Sequence, residues 1–391
     1  MSSPVRTRPH PPPWRTHFSS SSKESIVTSN LFTPLTLRGT TFPNRAWMAP
    51  MCQYSAADSG PETGAPTDWH LQHYGSRAAG GPGLILVEAT GVVPEGRISP
   101  YDLGIWNDTQ IEAHRRLTAF MRGQGVVPGI QIAHAGRKAS TVGELKPGDA
   151  LSEADGGWET VAPSPVAFPG LATPRGLSRE EVRGVVEAFA RAARRAIAAG
   201  YEVIEIHGAH GYLVHQFLSP TANRRDDEYG GSFENRTRLS VEIADAVREA
   251  VGEDVPVFYR LSATDWTEPE GWSADETVRL AAILKEHGID MLDVSSGGMV
   301  PKADIPVGPG YQVEFATRVS REAGLPSAAV GLITEPGQAE KILADGEADA
   351  ILLGRELLRD PYWPHRASLE LGDVHPVPAQ YERAERARHR S

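Results

Sequence analysis

The sequence predicts an α/β fold, a single (β/α)8 TIM barrel with elaborated loops at the carboxyl-terminal face of its strands. Eight short apolar runs alternate with amphipathic segments, the pattern of strands each followed by a helix. Most runs are near-continuous in apolar residues, as strands covered on both faces must be. A doubly wound open sheet alternates in the same way, but usually carries a G-x-G-x-x-G turn after its first strand, and none is present.

The predicted strands are 45–51, 83–90, 126–133, 201–206, 255–261, 291–295, 328–333 and 350–354. The helix before the fourth strand is the most fully specified. Ser178 and Glu181 form a capping box, each side chain satisfying a free backbone N–H. Val182, Val185, Val186, Phe189, Ala193 and Ile197 keep helical spacing behind it. Gly200 ends the helix, since glycine takes the left-handed conformation at little cost. Looser versions of this pattern predict helices over 68–79, 108–122, 233–251, 274–287, 311–323, 335–344 and 357–371. One barrel over 31–375 follows, with long loops at 91–107, 136–177 and 297–311. The loop at 136–177 exceeds a plain connector and is expected to cover or border the active site. Residues 1–30 hold Pro-rich and Ser-rich tracts with no acid before Glu24, and are expected to be disordered. That Arg- and Ser-rich composition suits either an organelle transit peptide or a simple extension.

Composition narrows the function classes. In 391 residues, 40% are hydrophobic, enough for one large core. A net charge of -11 argues against a nucleic-acid partner, which wants a basic face. No apolar run approaches membrane-spanning length, and no segment has the apolar centre of a secretion signal. The single cysteine, Cys52, excludes an intramolecular disulfide and any iron–sulfur or zinc site built on several cysteines. A cytoplasmic location is expected.

Residues ending the predicted strands would share one mouth, where barrel enzymes keep their chemistry. The first strand ends in Ala49, Pro50, Met51 and Cys52, with Tyr54 behind them. Glu88, Ala89 and Thr90 end the second, and Gln131 lies in the third, before 134–138. The fourth leads into His207, His210 and Tyr212, two imidazoles and a phenol that are hydrogen-bond donors. The same residues could instead be a tight strand-to-helix turn. Arg260 belongs to the fifth strand, 295–298 follows the sixth, Gly331 lies in the seventh, and Gly354 and Arg355 close the eighth. Glycines at the last two strands let backbone N–H groups approach an anion, and the two guanidinium forks suit phosphate oxygens. A cofactor with a phosphate tail and a planar polar head fits, with Gln131 offering an amide to its edge. Flavin mononucleotide and a phosphorylated sugar both answer that description. Arg355 has the alternative of a surface ion pair with Glu356 or Asp360. A catalytic zinc on His207 and His210 would need a third ligand, for which His134 is the candidate. Cys52 reads either as a small buried hydrophobe or as a sulfur tuning a redox cofactor.

Several segments together resemble the Old Yellow Enzyme family of flavin-dependent ene-reductases, in its thermophilic-like bacterial branch. They are 31–37 (Leu-Phe-Thr-Pro-Leu-Thr-Leu), 49–54 (Ala-Pro-Met-Cys-Gln-Tyr), 129–138 (Gly-Ile-Gln-Ile-Ala-His-Ala-Gly-Arg-Lys) and 205–212 (Glu-Ile-His-Gly-Ala-His-Gly-Tyr). Further on come 223–231 (Asn-Arg-Arg-Asp-Asp-Glu-Tyr-Gly-Gly), 234–236 (Glu-Asn-Arg) and 380–383 (Gln-Tyr-Glu-Arg). The resemblance implies non-covalent FMN, NADPH or NADH as reductant, and reduction of the C=C bond of α,β-unsaturated carbonyl compounds. It places Ala49, Pro50, Met51 and Cys52 along the flavin, Ala89, Gln131 and Arg260 against its ring, and Gly354 and Arg355 at its phosphate. His207 and His210 would hydrogen-bond the substrate carbonyl, Tyr54 would position it, and Tyr212 would donate the proton. Arg383, in a tail at 376–391, would reach a neighbouring subunit's site, implying a homodimer or homotetramer. Two other enzyme readings are an FMN barrel dehydrogenase of the dienoyl-CoA reductase type and a flavin-free barrel isomerase or aldolase. The first type carries a cysteine cluster that this chain lacks.

Overall fold

The structure is a computed structural model that describes residues 29–143 and 150–384. The disorder expected of residues 1–28 lies outside the described residues. Ser29 and Asn30, assigned to the same extension, instead pack on the barrel. Ser29 donates its backbone N–H to Asp373 (2.8 Å) and Asn30 to Glu340 (2.9 Å).

Eight parallel strands close into a barrel in sequence order. They are β1 (Ala46–Met48), β2 (Leu84–Gly91), β3 (Val127–Ala133), β4 (Val203–Gly208), β5 (Val257–Ser262), β6 (Met291–Ser295), β7 (Ser327–Ala329) and β8 (Ala350–Leu353). Helices follow them in turn: α1 (Asp68–Ala79), α2 (Thr109–Gly123), α3 (Arg179–Ala198), α4 (Phe233–Val251), α5 (Ala274–Glu286), α6 (Val313–Arg318), α7 (Pro336–Ala344) and α8 (Trp363–Glu370). The capping box at Ser178 and Glu181 is formed as its residues require.

Side chains alternate along a strand, so every second residue points into the barrel. The innermost cluster contains Trp47, Leu84, Val127, Val203, Phe258, Met291 and Ala350, all near their strands' starts. A hairpin, Leu35–Leu37 with Thr40–Phe42, closes this end. Its Phe42 packs 4.7 Å from Trp47, which stacks on Phe258 at 5.8 Å. Further along, the same parity brings Gln131 (four residues on), Glu205, Arg260 and Asp293 (two residues on) inward, and after them His207, Ser262 and Ser295. An apolar floor therefore carries a polar layer.

Four predicted boundaries need correction. The first strand stops at Met48 rather than 51, so Ala49, Pro50 and Met51 lie just beyond it. The seventh strand stops at Ala329 rather than 333, because Gly331 (φ 123°) and Leu332 (φ 50°) leave the extended region. Gly331 is thus a loop residue beyond the strand. The fourth strand runs on to Gly208, so His207 is a strand residue in register with Arg260. The helix predicted over 357–371 is two helices, Arg355–Arg359 and α8. Asp360 is extended (φ -127°, ψ 92°), as the residue before Pro361 must be.

Gly211 and Gly298 hold the ends of β4 and β6 together. Gly211 has φ 72°, and a Cβ there would sit 2.3 Å from the Gly298 carbonyl oxygen. Gly211→Ala should therefore destabilise the protein by roughly 2–3 kcal/mol, against about 1 kcal/mol for Ser178→Ala at the helix cap. Thermal unfolding of the two variants side by side checks the order.

Candidate active site

His207, His210 and Tyr212 come together at the tip of β4. The His207 ring centroid lies 5.3 Å from that of His210 and 5.0 Å from that of Tyr212, both edge-on. The backbone N–H of Ala209 donates to His207 Nδ1 (3.3 Å), so the neutral ring carries its proton on Nε2. His210 adopts φ 57°, and its backbone N–H donates to Ser262 Oγ (2.9 Å). Its Nε2 lies 2.8 Å from Ser295 Oγ. Burial, and then the Arg260 charge, holds both imidazoles well below their usual pKa, although His210 keeps an exposed edge at the mouth. Both rings are neutral donors at neutral pH.

Lys138 ties this group together from the β3 side. Its Nζ donates to the carbonyls of His210 (2.9 Å) and Gly298 (3.1 Å) and lies 5.0 Å from the Tyr212 ring centroid. Burial, with Arg137 beside it, pushes its ammonium down to about 8. The Tyr212 phenol is pushed well above its ordinary value, first by burial and then by Cys52, Tyr54 and Asp102. It stays protonated.

Tyr54 and Cys52 pack with Trp158 against a small cluster of Ile98, Ala135, Ala139 and Tyr212. The loop at 136–177 thus borders the site, as its length suggested. Tyr54 has φ 50°, and burial raises its hydroxyl. The Cys52 thiol is raised by burial and by the Asp102 and Glu88 carboxyls. The segment is anchored below, where Gln53 N–H donates to the buried Glu88 carboxylate (2.9 Å) and Tyr74 caps its other oxygen (2.6 Å).

Beneath the histidines lies the charged layer. Arg260 Nε approaches Asp293 Oδ2 to 2.9 Å, an ion pair without hydrogen-bond alignment. Gln131 Nε2 donates to Glu205 Oε1 (2.8 Å). Burial pushes both carboxyls up, so the pair retains a proton while one negative charge balances Arg260.

The remaining sequence-predicted residues separate into two groups. Ala49, Pro50 and Ala89 are buried at the mouth, Met51 is half-buried, and Ala49 N–H donates to Leu353 (3.1 Å), joining β1 to β8. A Cβ added at Gly354 would meet only Met51 Sδ, at 3.7 Å, so the tip of β8 faces open space. Arg355 is exposed there and does not pair with the acids beside it. Glu356 instead pairs with Arg359 (2.6 Å) and Asp360 with Arg366 (3.0 Å). These features fit FMN, with open space at Gly354, an exposed guanidinium for a phosphate, and Gln131 and Arg260 for a planar polar ring. Arg383 is exposed, and among the described residues no hydrogen bond or ion pair joins it to the β4 group. His134 is not brought to the other two histidines. Its Nδ1 accepts the Gly136 N–H (3.0 Å), and it lines a separate cavity with Val161, Leu177 and Val185. Among the described residues, no three His, Cys, Asp or Glu side chains gather as a metal site requires.

Sequence reasoning assigned no role to Lys138, Glu205, Asp293, Ser295 or Asp102. Glu205 and Asp293 carried a signal, since each is a lone acid inside an apolar strand.

The profile of the NADH:flavin oxidoreductase / NADH oxidase family matches residues 30–373. An NADPH dehydrogenase of Geobacillus thermodenitrificans is 49% identical over 354 residues, covering 90% of this chain and 98% of that protein. The Old Yellow Enzyme homologue from Zymomonas mobilis superposes with a TM-score of 0.74 at 28% identity, covering 89% of this chain and 94% of that one. A 2-naphthoyl-CoA reductase superposes at 0.78 with 25% identity, covering 88% of this chain but 52% of that one. With a matching profile over nearly the whole barrel and a half-identical relative covered over 98% of its length, the chain belongs to the NADH:flavin oxidoreductase / NADH oxidase family, the Old Yellow Enzymes, and is an FMN-dependent oxidoreductase using NAD(P)H.

Proposed function

We propose that this protein is an ene-reductase that saturates the C=C bond of α,β-unsaturated ketones, aldehydes or maleimides. The observation that carries this reading is the convergence of His207, His210 and Tyr212 on one side of the mouth. Bound FMN, with Gln131 and Arg260 at its ring and Arg355 at its phosphate, would supply the hydride chemistry that links NAD(P)H to the alkene. The side chains do the rest. As hydride arrives at the β-carbon, negative charge grows on the substrate's carbonyl oxygen. Two neutral imidazole donors aimed at that oxygen stabilise the charge in the transition state, each contributing about 3 kcal/mol.

His207 offers Nε2–H, because Nδ1 is committed to Ala209. His210 Nε2 lies 2.8 Å from the Ser295 hydroxyl, and in this reading that hydroxyl is the donor, which leaves the proton on Nδ1 for the substrate. Ser295 thereby sets the tautomer. The α-carbon then takes a proton from Tyr212. An enolate carbon is a stronger base than a phenolate, so the transfer is downhill despite the raised phenol. The Lys138 ammonium over the ring favours the phenolate that remains. Tyr54 positions the substrate from the β1 side. Arg383, exposed on the C-terminal segment, contributes to the site of a neighbouring subunit in a homodimer or homotetramer.

Protein purified with FMN should bleach under anaerobic NADPH and recolour on addition of 2-cyclohexenone. A spectrum that stays bleached after the enone rules out the proposed substrate class. Tyr212→Phe should slow recolouring by on the order of 10²–10⁴ and bleaching by much less. Ser295→Ala should lower kcat with enone by about tenfold, and Ser295→Thr, which keeps the hydroxyl, should restore it. Equal losses in the Ala and Thr variants would remove the tautomer role.

A further inference from the structure

A cavity of about 10 Å³ is lined by Tyr212 together with Ala89, Gly96, Arg97, Ile98 and Asp102. That is about the room one water molecule needs. Asp102 comes from the loop between β2 and α2 and is 1% exposed. Its Oδ2 accepts the backbone N–H of Ser99, whereas Oδ1 has no partner among the described residues. A buried carboxyl oxygen without a donor is costly, and a water in the adjoining cavity would satisfy it. The loop is held rigidly against β2. Gly91 N–H donates to Leu103 (2.8 Å), and Ile105 N–H donates to Gly91 (3.0 Å). Arg97, on the same cavity wall, is held between the rings of Trp106 (5.3 Å) and Trp158 (5.0 Å).

Each turnover that protonates a substrate carbon leaves Tyr212 without its proton. The phenol is only 7% exposed, and its ring is packed against Ile98, Ala135 and Ala139. A route for reprotonation through the protein would serve this phenol, and the cavity that Tyr212 and Asp102 both line offers one.

We propose that Asp102, acting through a water in this cavity, returns the proton to Tyr212 after each turnover. The proposal rests on the reading of Tyr212 as the proton donor. The Asp102 carboxyl passes its proton to the water, and that water passes one to the tyrosinate oxygen. The carboxylate then regains a proton from solvent on the Arg97 side. One proton enters from solvent for each one delivered to product, and no electrons move.

The electrostatics suit this task. Burial raises the Asp102 carboxyl to about 7, the Ser99 N–H pulls it back, Glu88 pushes it up, and Arg97 pulls it down. The other titratable groups facing it are Cys52, Tyr54 and Tyr212, all raised by burial and neutral at neutral pH. A carboxyl poised there can both give and regain a proton under working conditions.

The test uses FMN-loaded enzyme reduced anaerobically with NADPH, then mixed with 2-cyclohexenone in weak buffer containing a pH indicator. Flavin reoxidation and proton uptake are recorded together. In wild type at about pH 6 the two traces should coincide, whereas in Asp102→Asn proton uptake should trail by about tenfold or more. Asp102→Glu should bring the traces back together. In wild type the lag should open as pH rises through about 7, because Asp102 is then ionised before turnover begins. Coincident traces in Asp102→Asn would overturn the relay, as would a wild-type lag unchanged from about pH 6 to about pH 9. The wild-type series decides the matter alone if the Asn variant does not hold FMN. Tyr212→Phe separates the two readings, since reoxidation at the wild-type rate in that variant would remove the donor assignment itself.

Discussion

Everything at the mouth of this barrel depends on side-chain alternation along its parallel strands. In β4, β5 and β6 the first inward residues are Val203, Phe258 and Met291, which join the apolar floor. The same parity then fixes Glu205 and His207, Arg260 and Ser262, Asp293 and Ser295 on the inside. A one-residue slip in any of these strands would bury charges among the helices and turn apolar residues into the mouth. The charged layer adds its own demand. Arg260 is almost fully buried, and removing both acids beside it would leave its charge uncompensated in a place where water cannot help.

That layer also explains the state of the histidines above it. The Arg260 charge and burial act in the same direction on both imidazoles, so neither holds a second proton at neutral pH. Neutral rings are donors at one nitrogen only, which makes the partner of the other nitrogen decisive. The Ala209 N–H occupies Nδ1 of His207, and the Ser295 hydroxyl on β6, two strands away, faces Nε2 of His210. The unusual backbone of His210 is supported by Lys138, which bonds its carbonyl and that of Gly298 at once.

Much of this was legible in the residues alone. Continuous apolar runs such as 84–87 and 350–353 read as covered strands, and both are strands of the barrel. The clustering of His207, His210 and Tyr212 followed from their place after the fourth run. What escaped was conformation that apolarity does not encode. Val330, Leu332 and Ile333 look like strand, yet Leu332 turns the chain so that its carbonyl accepts from Gln338 (3.3 Å). Contacts between distant segments escaped as well. Nothing local to Asp102 indicates that its loop folds back against β2 and Tyr212, because hydrogen bonds to Gly91 create that placement.

The polar donors stand on strand tips, while the wall beside them belongs to the excursion between β3 and α3. Trp158 leans on the Tyr212 cluster and donates to the Glu95 carbonyl (2.9 Å), and Phe168 lies 4.9 Å from Lys138. Recognition and reactivity are consequently housed in separable pieces of chain. Evolution, or an engineer, is free to graft a different excursion onto the same scaffold beyond Lys138 and so reshape the wall, with Lys138 and the strand-tip donors left in place.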